Sequence, residues 1–226
     1  MVLVLMTVLA SCDSISGFFS TSWGSGLERD KEGLLPKINA GNALELAKDS
    51  AGDKKKAKLV TEKIRDALAK TNDPAEQQEL LKAGLLAANN SSDLIMAVMG
   101  NLNTLNNPQV TVGMILEKVQ AAGDVQANAG LISGLLDAGK VENAADLAGV
   151  AQDDLVLAAV TLLLADAQSL GKMTPDTQED YLKDFDQKKQ NPYNLTDKQK
   201  KALVLAGAAA QSPGPLTDML KNFHLL

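Results

Sequence analysis

The sequence has very few cysteine, histidine and aromatic residues, and each shortage excludes a class of site. Cys12 is the only cysteine, so the chain forms no internal disulfide and no cysteine metal cluster. His224 is the only histidine, which argues against a histidine metal site or a histidine-dependent catalytic relay. We interpret His224 as a frayed surface residue near the carboxyl terminus, and we predict neither a metal nor a cofactor.

Aromatic residues make up only 3% of the chain, although 45% of its residues are hydrophobic. The core must therefore consist mainly of Ala, Leu, Val, Ile and Met. The 22 basic and 28 acidic residues give a net charge of −6, which repels phosphate backbones. Nucleic acid is therefore not a predicted partner.

Residues 1–11 form an apolar run without any charged residue. A helix that crosses a membrane needs ~20 apolar residues, so this run is too short to span a bilayer. Its length is typical of the apolar core of a secretion signal, which is ~7 to 15 residues long and is followed by small residues at the cleavage site. We predict cleavage before Cys12.

The tetrapeptide Leu9-Ala10-Ser11-Cys12 resembles the lipobox of bacterial lipoproteins, in which an apolar residue and two small residues precede an obligatory cysteine. The resemblance implies that residues 1–11 are removed, that Cys12 is acylated, and that the protein is anchored in the bacterial cell envelope facing the periplasm. Asp13 resembles an inner-membrane retention signal, but other bacterial groups follow other rules, so the choice between inner and outer membrane stays open. The alternative is a buried amino-terminal strand or helix with a free core cysteine.

Signal peptides usually begin with Lys or Arg, whereas the first basic residue here is Arg29. We therefore expect the natural start to lie upstream of Met1. Residues 12–31 are rich in Ser and Gly, which is typical of a flexible tether. Residues 32–226 form the predicted folded domain.

The folded domain shows helical periodicity and no strand pattern. In the segment Lys54 to Lys70, an apolar stripe recurs at helical spacing. Further helix starts are predicted at Pro74, Ser92 or Asp93, Pro108, Thr174-Pro175 and Thr196-Asp197. These signals predict an all-α fold of about ten helices. Leu155 to Ala165 is too short to span a membrane, and we predict a central helix that is buried on all sides.

The segment Ala127 to Asp154 resembles one tetratricopeptide repeat, a pair of antiparallel helices. Leu131 and Leu135 match apolar positions of the first helix, Gly139 matches the turn, and Ala144 and Ala151 match small positions of the second helix. Ile132, Ala148 and Val156 depart from the family pattern. The resemblance implies stacked antiparallel hairpins, as in an α-solenoid, and the alternative is an irregular helical bundle.

Neighbouring carboxylates occur at Asp153-Asp154, Glu179-Asp180 and Asp184 with Asp186. General acid/base catalysis needs two carboxyl groups facing each other across a cleft, and sequence neighbours on a helix do not face each other. We interpret these residues as solvated faces or helix starts. The run Asp53-Lys54-Lys55-Lys56-Ala57-Lys58 is the main basic patch, and we call its four lysines the lysine cluster. It is either a solubilising helix end or a contact for anionic headgroups.

These observations predict a lipid-anchored envelope protein that is not an enzyme and that serves as a binding or assembly scaffold. Its predicted partners are the membrane, through acyl chains on Cys12, and another envelope protein. The alternative is a carrier of an apolar ligand such as a lipid, since the seven Met residues adapt readily to a cavity. A third hypothesis is a carboxylate-dependent enzyme.

Overall fold

The computed structural model describes residues 35–92, 124–172, 174–211, 220–221 and 223–226. The chain divides into two units, Met1–Lys37 and Ile38–Leu226. The described part of the second unit is all-α and contains no strand, which confirms the predicted fold class. Its seven α-helices are α1 (Ala40–Asp49), α2 (Lys54–Leu68), α3 (Pro74–Asn90), α4 (Val125–Ala138), α5 (Gln152–Ser169), α6 (Pro175–Lys189) and α7 (Asp197–Ala209), and short 3-10 helices cover Ala144–Leu147 and Pro192–Asn194.

Several helices begin at the capping residues that the sequence predicted. Asp73 caps α3 with Pro74 in the first turn, Thr174 caps α6 before Pro175, and Thr196 caps α7. In each case a side-chain oxygen accepts a hydrogen bond from a backbone N–H in the first turn, which satisfies a donor that the helix itself leaves unpaired. The predicted starts at Asp93 and Pro108 lie outside the described residues.

Helix α5 lies at the centre of the described domain, where it packs against α7, α4 and α3. Each of its residues from Leu155 to Ala167 is buried, so the prediction of a helix buried on all sides is confirmed. A helix that is apolar on every face is stable in water only when neighbouring helices cover it completely. Helix α5 is therefore the centre around which α3, α4 and α7 pack.

Helices α1 and α2 both pack against α3, and α2 also packs against α4. The predicted stripe on α2 is confirmed, since Val60, Ile64 and Leu68 are buried. The approach of α3 to α4 is close, because a Cβ placed on Gly84 would lie 2.7 Å from the Cδ2 atom of Leu135. A side chain at position 84 would therefore force Leu135 to shift.

The segment Ala127 to Asp154 contains only one of the two α-helices that the resemblance predicted. Helix α4 ends at Ala138, and the next regular element is a four-residue 3-10 helix, Ala144–Leu147. It is capped by Asn143, and Gly149, with a φ of 79°, turns the chain before α5 begins. The prediction of a second α-helix here is wrong, because the chain leaves the helical conformation at Ala148, whose ψ is 134°, and turns at Gly149. The number and stacking of the remaining helices stay predictions.

Gly139 lies at the end of α4, but it does not adopt the left-handed conformation for which glycine is favoured at helix ends. Its φ is −80°, and the left-handed residue is Lys140, with a φ of 52°. A Cβ on Gly139 would lie 2.7 Å from the Cδ2 atom of Leu81. A side chain at position 139 would therefore force Leu81 of α3 to move, which favours glycine there.

Candidate binding groove

An open groove of about 670 Å³ lies between α4 and α7. This volume is within the ~300 to 1,000 Å³ that is usual for ligand sites. Its walls combine small and polar side chains, and the buried helix α5 contributes one residue. The lining residues are Gln126, Ala129, Gly130, Ser133, Gly134, Asp137, Asp166, Thr196, Asp197 and Lys198.

The wall formed by α4 is one face of that helix. Gln126, Gly130, Ser133 and Asp137 are spaced by three or four residues, so they lie one above another along the groove. A Cβ on Gly130 would meet no atom within 4 Å, which means that this part of the wall is open. The other face of α4 carries the buried Leu135 and packs into the domain, so the groove wall is rigidly placed.

Two lysines of α7 bridge the groove to its opposite wall. Lys201 Nζ lies 2.7 Å from Asp137 Oδ1 and 2.7 Å from Asp197 Oδ2, and it donates to Ser133 Oγ at 2.7 Å. Lys198 Nζ donates to Gln126 Oε1 at 3.2 Å and to Ser169 Oγ at 3.1 Å. The two lysines therefore hold α4 and α7 at a distance at which direct packing between the helices is limited.

A buried hydrogen-bond network underlies one end of the groove. Asp166 of α5 is 4% exposed; its Oδ2 accepts from the Tyr181 hydroxyl at 2.8 Å and its Oδ1 from the Thr196 hydroxyl at 2.8 Å. Gln199 Nε2 donates to the Tyr181 hydroxyl at 3.2 Å. This network connects α6 and the start of α7 to α5. It also supplies hydrogen bonds to buried polar groups, which would destabilise the fold if they were left unpaired.

The electrostatics of the site follow from burial and pairing. Burial raises the pKa of the Tyr181 phenol well above its ordinary value, and the neighbouring Asp166 carboxylate raises it further. Burial lowers the pKa of Lys201, but hydrogen bonds to Asp137 and Asp197 outweigh it and leave that pKa above its ordinary value. Tyr181 therefore stays a neutral hydrogen-bond donor at physiological pH, and Lys201 stays a cation.

The carboxylates of the groove are already engaged. Asp137 and Asp197 share Lys201, and Asp166 accepts from two hydroxyls. Within the described ranges, no group of three or more His, Cys, Asp or Glu side chains is placed to bind a metal ion. What this arrangement offers a ligand is hydrogen bonds and ionic contacts along a stable wall.

The neighbouring carboxylates seen in the sequence occupy separate positions. Asp153 and Asp154 lie in the first turn of α5, as predicted for a helix start. Asp154 Oδ1 accepts from Asn89 Nδ2 at 2.9 Å. Burial raises the pKa of Asp154, and the bond from Asn89 offsets part of this rise. This pair does not line the groove.

Three carboxylates of α6 form ion pairs along that helix. Glu179 pairs with Lys183 at 2.7 Å, Asp184 with Lys188 at 2.7 Å, and Asp186 with Lys189 at 2.8 Å. Such pairs are typical of a solvated helix face. They do not line the groove either.

His224 is not frayed, contrary to the prediction. Its Nδ1 contacts Asp186 Oδ2, and its carbonyl oxygen accepts from Lys189 Nζ at 2.6 Å. Neighbouring Phe223 and Leu225 are buried. The described carboxyl-terminal residues are therefore attached to α6, which no local pattern in the sequence indicated.

The remaining predicted site residues are found in different places. The lipobox residues Leu9, Ala10, Ser11 and Cys12 lie outside the described residues. Of the repeat-like positions, Leu135 is buried, Leu131 and Ala144 are half-buried, and Ala151 is exposed at the start of α5. None of them lines the groove.

Sequence reasoning missed the groove, although it found the start of α7 that forms one end. Lys198 meets Gln126 across 72 positions of the chain, and Lys201 meets Ser133 across 68. The one available signal was the row of small and polar residues on a single face of α4. That row alone does not tell which helix lies opposite.

Comparison with known proteins gives no match to the chain among family models, curated proteins or solved structures. Among the described helices, none is long and apolar enough to cross a bilayer. The function must therefore be inferred from the residues and their geometry.

Proposed function

We propose that this protein is a lipid-anchored component of the bacterial cell envelope that acts as a noncatalytic binding or assembly scaffold. Cys12 carries the acyl chains, and the groove between α4 and α7 is the binding face. The anchor is supported by the Leu9-Ala10-Ser11-Cys12 sequence. One buried acyl chain gives only marginal attachment, whereas two or three give durable attachment.

The observation that supports the binding role is the open groove with its mixed polar and small lining. A carrier of an apolar ligand needs a site that removes most of the ligand from water, and an open wall with Asp137, Asp197 and Lys198 does not do this. Acid/base catalysis is also disfavoured, since each groove carboxylate already has a partner. A protein segment with its own hydrogen-bonding groups suits these walls better than a lipid tail.

The anchor is tested by partition between detergent and buffer and by the intact mass of the native protein. We expect the protein in the detergent phase, with residues 1–11 absent and acyl chains on Cys12. Cys12→Ser is the matched variant and should leave the protein unprocessed and unacylated. A native protein that stays in buffer with a free Cys12 thiol contradicts the proposal.

The binding face is tested by placing a photo-crosslinking residue at position 130, where the wall is open. The matched control position is Lys183, whose side chain is 63% exposed on α6. We expect one envelope protein to crosslink from position 130 and not from position 183, and Ser133→Trp should abolish that crosslink by filling the groove. The same products from both positions, or a crosslink that survives Ser133→Trp, would show that the groove is not the binding face.

A further inference from the structure

Positive charge is concentrated at one end of α1 and α2. Residues 48–58 contain five lysines and two aspartates, a net charge of +3, in a chain whose overall net charge is −6. Lys48 lies in the last turn of α1, and the lysine cluster begins α2 only a short turn later. The structure therefore brings these lysines to one region of a mostly acidic protein.

The position of the lysine cluster on its helix is electrostatically unfavourable. Lys54, Lys55 and Lys56 form the first turn of α2, which contains no acidic residue. The amino-terminal end of a helix already carries a partial positive charge, and cations are favourable at the other end. The carboxylate of Asp53 at the N-cap of α2 offsets part of this effect, and an external polyanion would relieve the rest.

Two lysines of the cluster are available for such a partner. Lys56 is not, because its Nζ donates to the carbonyl of Asp49 at 3.0 Å and joins the two helices. Lys55 and Lys58 are exposed, and neither side chain forms an ion pair or hydrogen bond with another residue in the described part of the chain. Glu62, one turn after Lys58, does not pair with it, and a lysine that precedes glutamate has the less favourable order for such a pair.

We infer that the lysine cluster contacts the anionic phospholipid headgroups of the membrane in which Cys12 is anchored. This inference rests on the proposed acylation of Cys12. Leu35 lies 23 residues after Cys12, so the domain stays within about 80 Å of the bilayer even if every intervening residue is extended. Because the domain stays attached to the membrane, anionic headgroups are a polyanion that is always present near it at high local concentration.

The strength of the attraction between the lysines and anionic headgroups also suits a supporting contact. One lysine close to an anionic membrane surface raises the equilibrium constant for membrane binding about five-fold. The attraction falls off within a Debye length, which is ~10 Å at 0.1 M salt. The contact orients the domain on the bilayer without being strong enough to replace the acyl anchor. It gives the scaffold a defined side that faces the membrane.

The test is lysine footprinting of the acylated protein reconstituted in vesicles. An amine-reactive reagent is applied in vesicles of phosphatidylglycerol with phosphatidylcholine, in vesicles of phosphatidylcholine alone, and in detergent. We expect Lys55 and Lys58 to react roughly five-fold more slowly in the anionic vesicles and to regain their reactivity in 1 M salt. Lys183, paired with Glu179 on α6, is the internal control and should react equally in all three.

Variants sharpen the test. In the double variant Lys55→Gln with Lys58→Gln, the protection of Lys48 should fall to its level in phosphatidylcholine. The matched double variant Lys183→Gln with Lys188→Gln removes the same charge from α6 and should leave Lys48 protected. Loss of protection in both variants would indicate an effect of net charge alone and overturn the inference.

Equal reactivity of Lys55 and Lys58 in anionic and neutral vesicles would also overturn it. Protection in detergent that grows with protein concentration would assign the cluster to contact between copies of the chain instead. The same mass spectra report the acyl groups on Cys12, so failure of the anchor is distinguished from failure of the headgroup contact. An acylated protein with unprotected lysines refutes only the latter.

Discussion

Helices α2 and α6 are both 15 residues long and both carry several lysines, but they place those charges differently. On α6, Lys183 and Lys188 each follow an acidic residue by four positions and pair with it at 2.7 Å. On α2, Lys55 and Lys58 have no such partner. The comparison shows that the same residue type serves helix stability on one helix and stays available for an outside partner on the other.

The two helices also attach to the domain by different means. Helix α2 buries an apolar stripe against α3 and α4. Helix α6 buries Phe185 and uses the Tyr181 hydroxyl, which joins the network around Asp166. We therefore expect α2 to be sensitive to loss of volume and α6 to loss of a hydrogen bond.

The largest effect is expected from Ile64→Ala on α2. Ile64 is fully buried, and truncation of such a residue leaves a cavity and typically lowers the free energy of unfolding by about 2 to 5 kcal/mol. Equilibrium denaturation with urea measures the change. Lys70→Ala, at an exposed position just after the helix, is the control and should change the value little. A loss below about 1 kcal/mol would contradict the view that this stripe attaches α2.

A smaller effect is expected from Tyr181→Phe on α6. The variant removes the hydroxyl that donates to Asp166 and accepts from Gln199, and a hydrogen bond to a charged group typically contributes about 1.5 to 3 kcal/mol. The same urea experiment measures it. Tyr193→Phe is the matched control, because Tyr193 is 93% exposed. If both variants unfold alike, the network does not stabilise α6.

The pH dependence of stability should differ in sign between two aspartates. Burial raises the pKa of Asp154 above 3.8. The contribution of Asp154 to the stability of the fold is therefore present below pH 3.8 and is lost as pH rises through the folded-state pKa. Burial alone would raise the pKa of Asp186 as well, but hydrogen bonds from Lys189 and His224 outweigh it, so this pKa lies below 3.8. The contribution of Asp186 is therefore lost as pH falls below 3.8.

Thermal unfolding between pH 3 and pH 7 tests these signs. Relative to the wild type, Asp154→Asn should gain stability as pH rises, because the variant lacks the buried charge. Asp186→Asn should lose stability relative to the wild type over the same rise. Parallel pH profiles for the two variants would refute the assignment.

The smallest effect on stability is expected from replacing lysines on α2 and on α6. The variant Lys55→Gln with Lys58→Gln should be more stable than the wild type by about 0.5 kcal/mol, because it removes cations from the positive end of a helix. The variant Lys183→Gln with Lys188→Gln should be slightly less stable, because it breaks two ion pairs. Thermal unfolding at low salt measures both. Destabilisation by the α2 variant would show that its lysines have a folding role.

Local chemistry explains which parts of the fold were predictable. The starts of α3, α6 and α7 follow from Asp73, Thr174 and Thr196, since a capping side chain acts within three residues of its own position. The burial of α5 follows from the apolar run Leu155 to Ala165, which is interrupted only by Thr161. The α-helix predicted around Ala144 was wrong because the chain turns at Ala148 and Gly149 after a single 3-10 turn, despite the helical pattern of the alanines before them.

The groove was less predictable because it depends on residues that are far apart in the chain. Gly139 illustrates the limit. Its place at a helix end was visible in the sequence, but its reason, the Leu81 side chain, belongs to another helix. His224 is similar, since its contact with Asp186 spans 38 positions.

By itself, the sequence determined the all-α class, the starts of α3, α6 and α7 and the lysine cluster, because capping, periodicity and charge depend on residues within a few positions of each other. Only the tertiary structure decided that α4 and α7 lie opposite each other with Lys198 and Lys201 between them. The physical reason is that packing selects helix partners through the shapes and polar groups of whole surfaces, which no single segment contains.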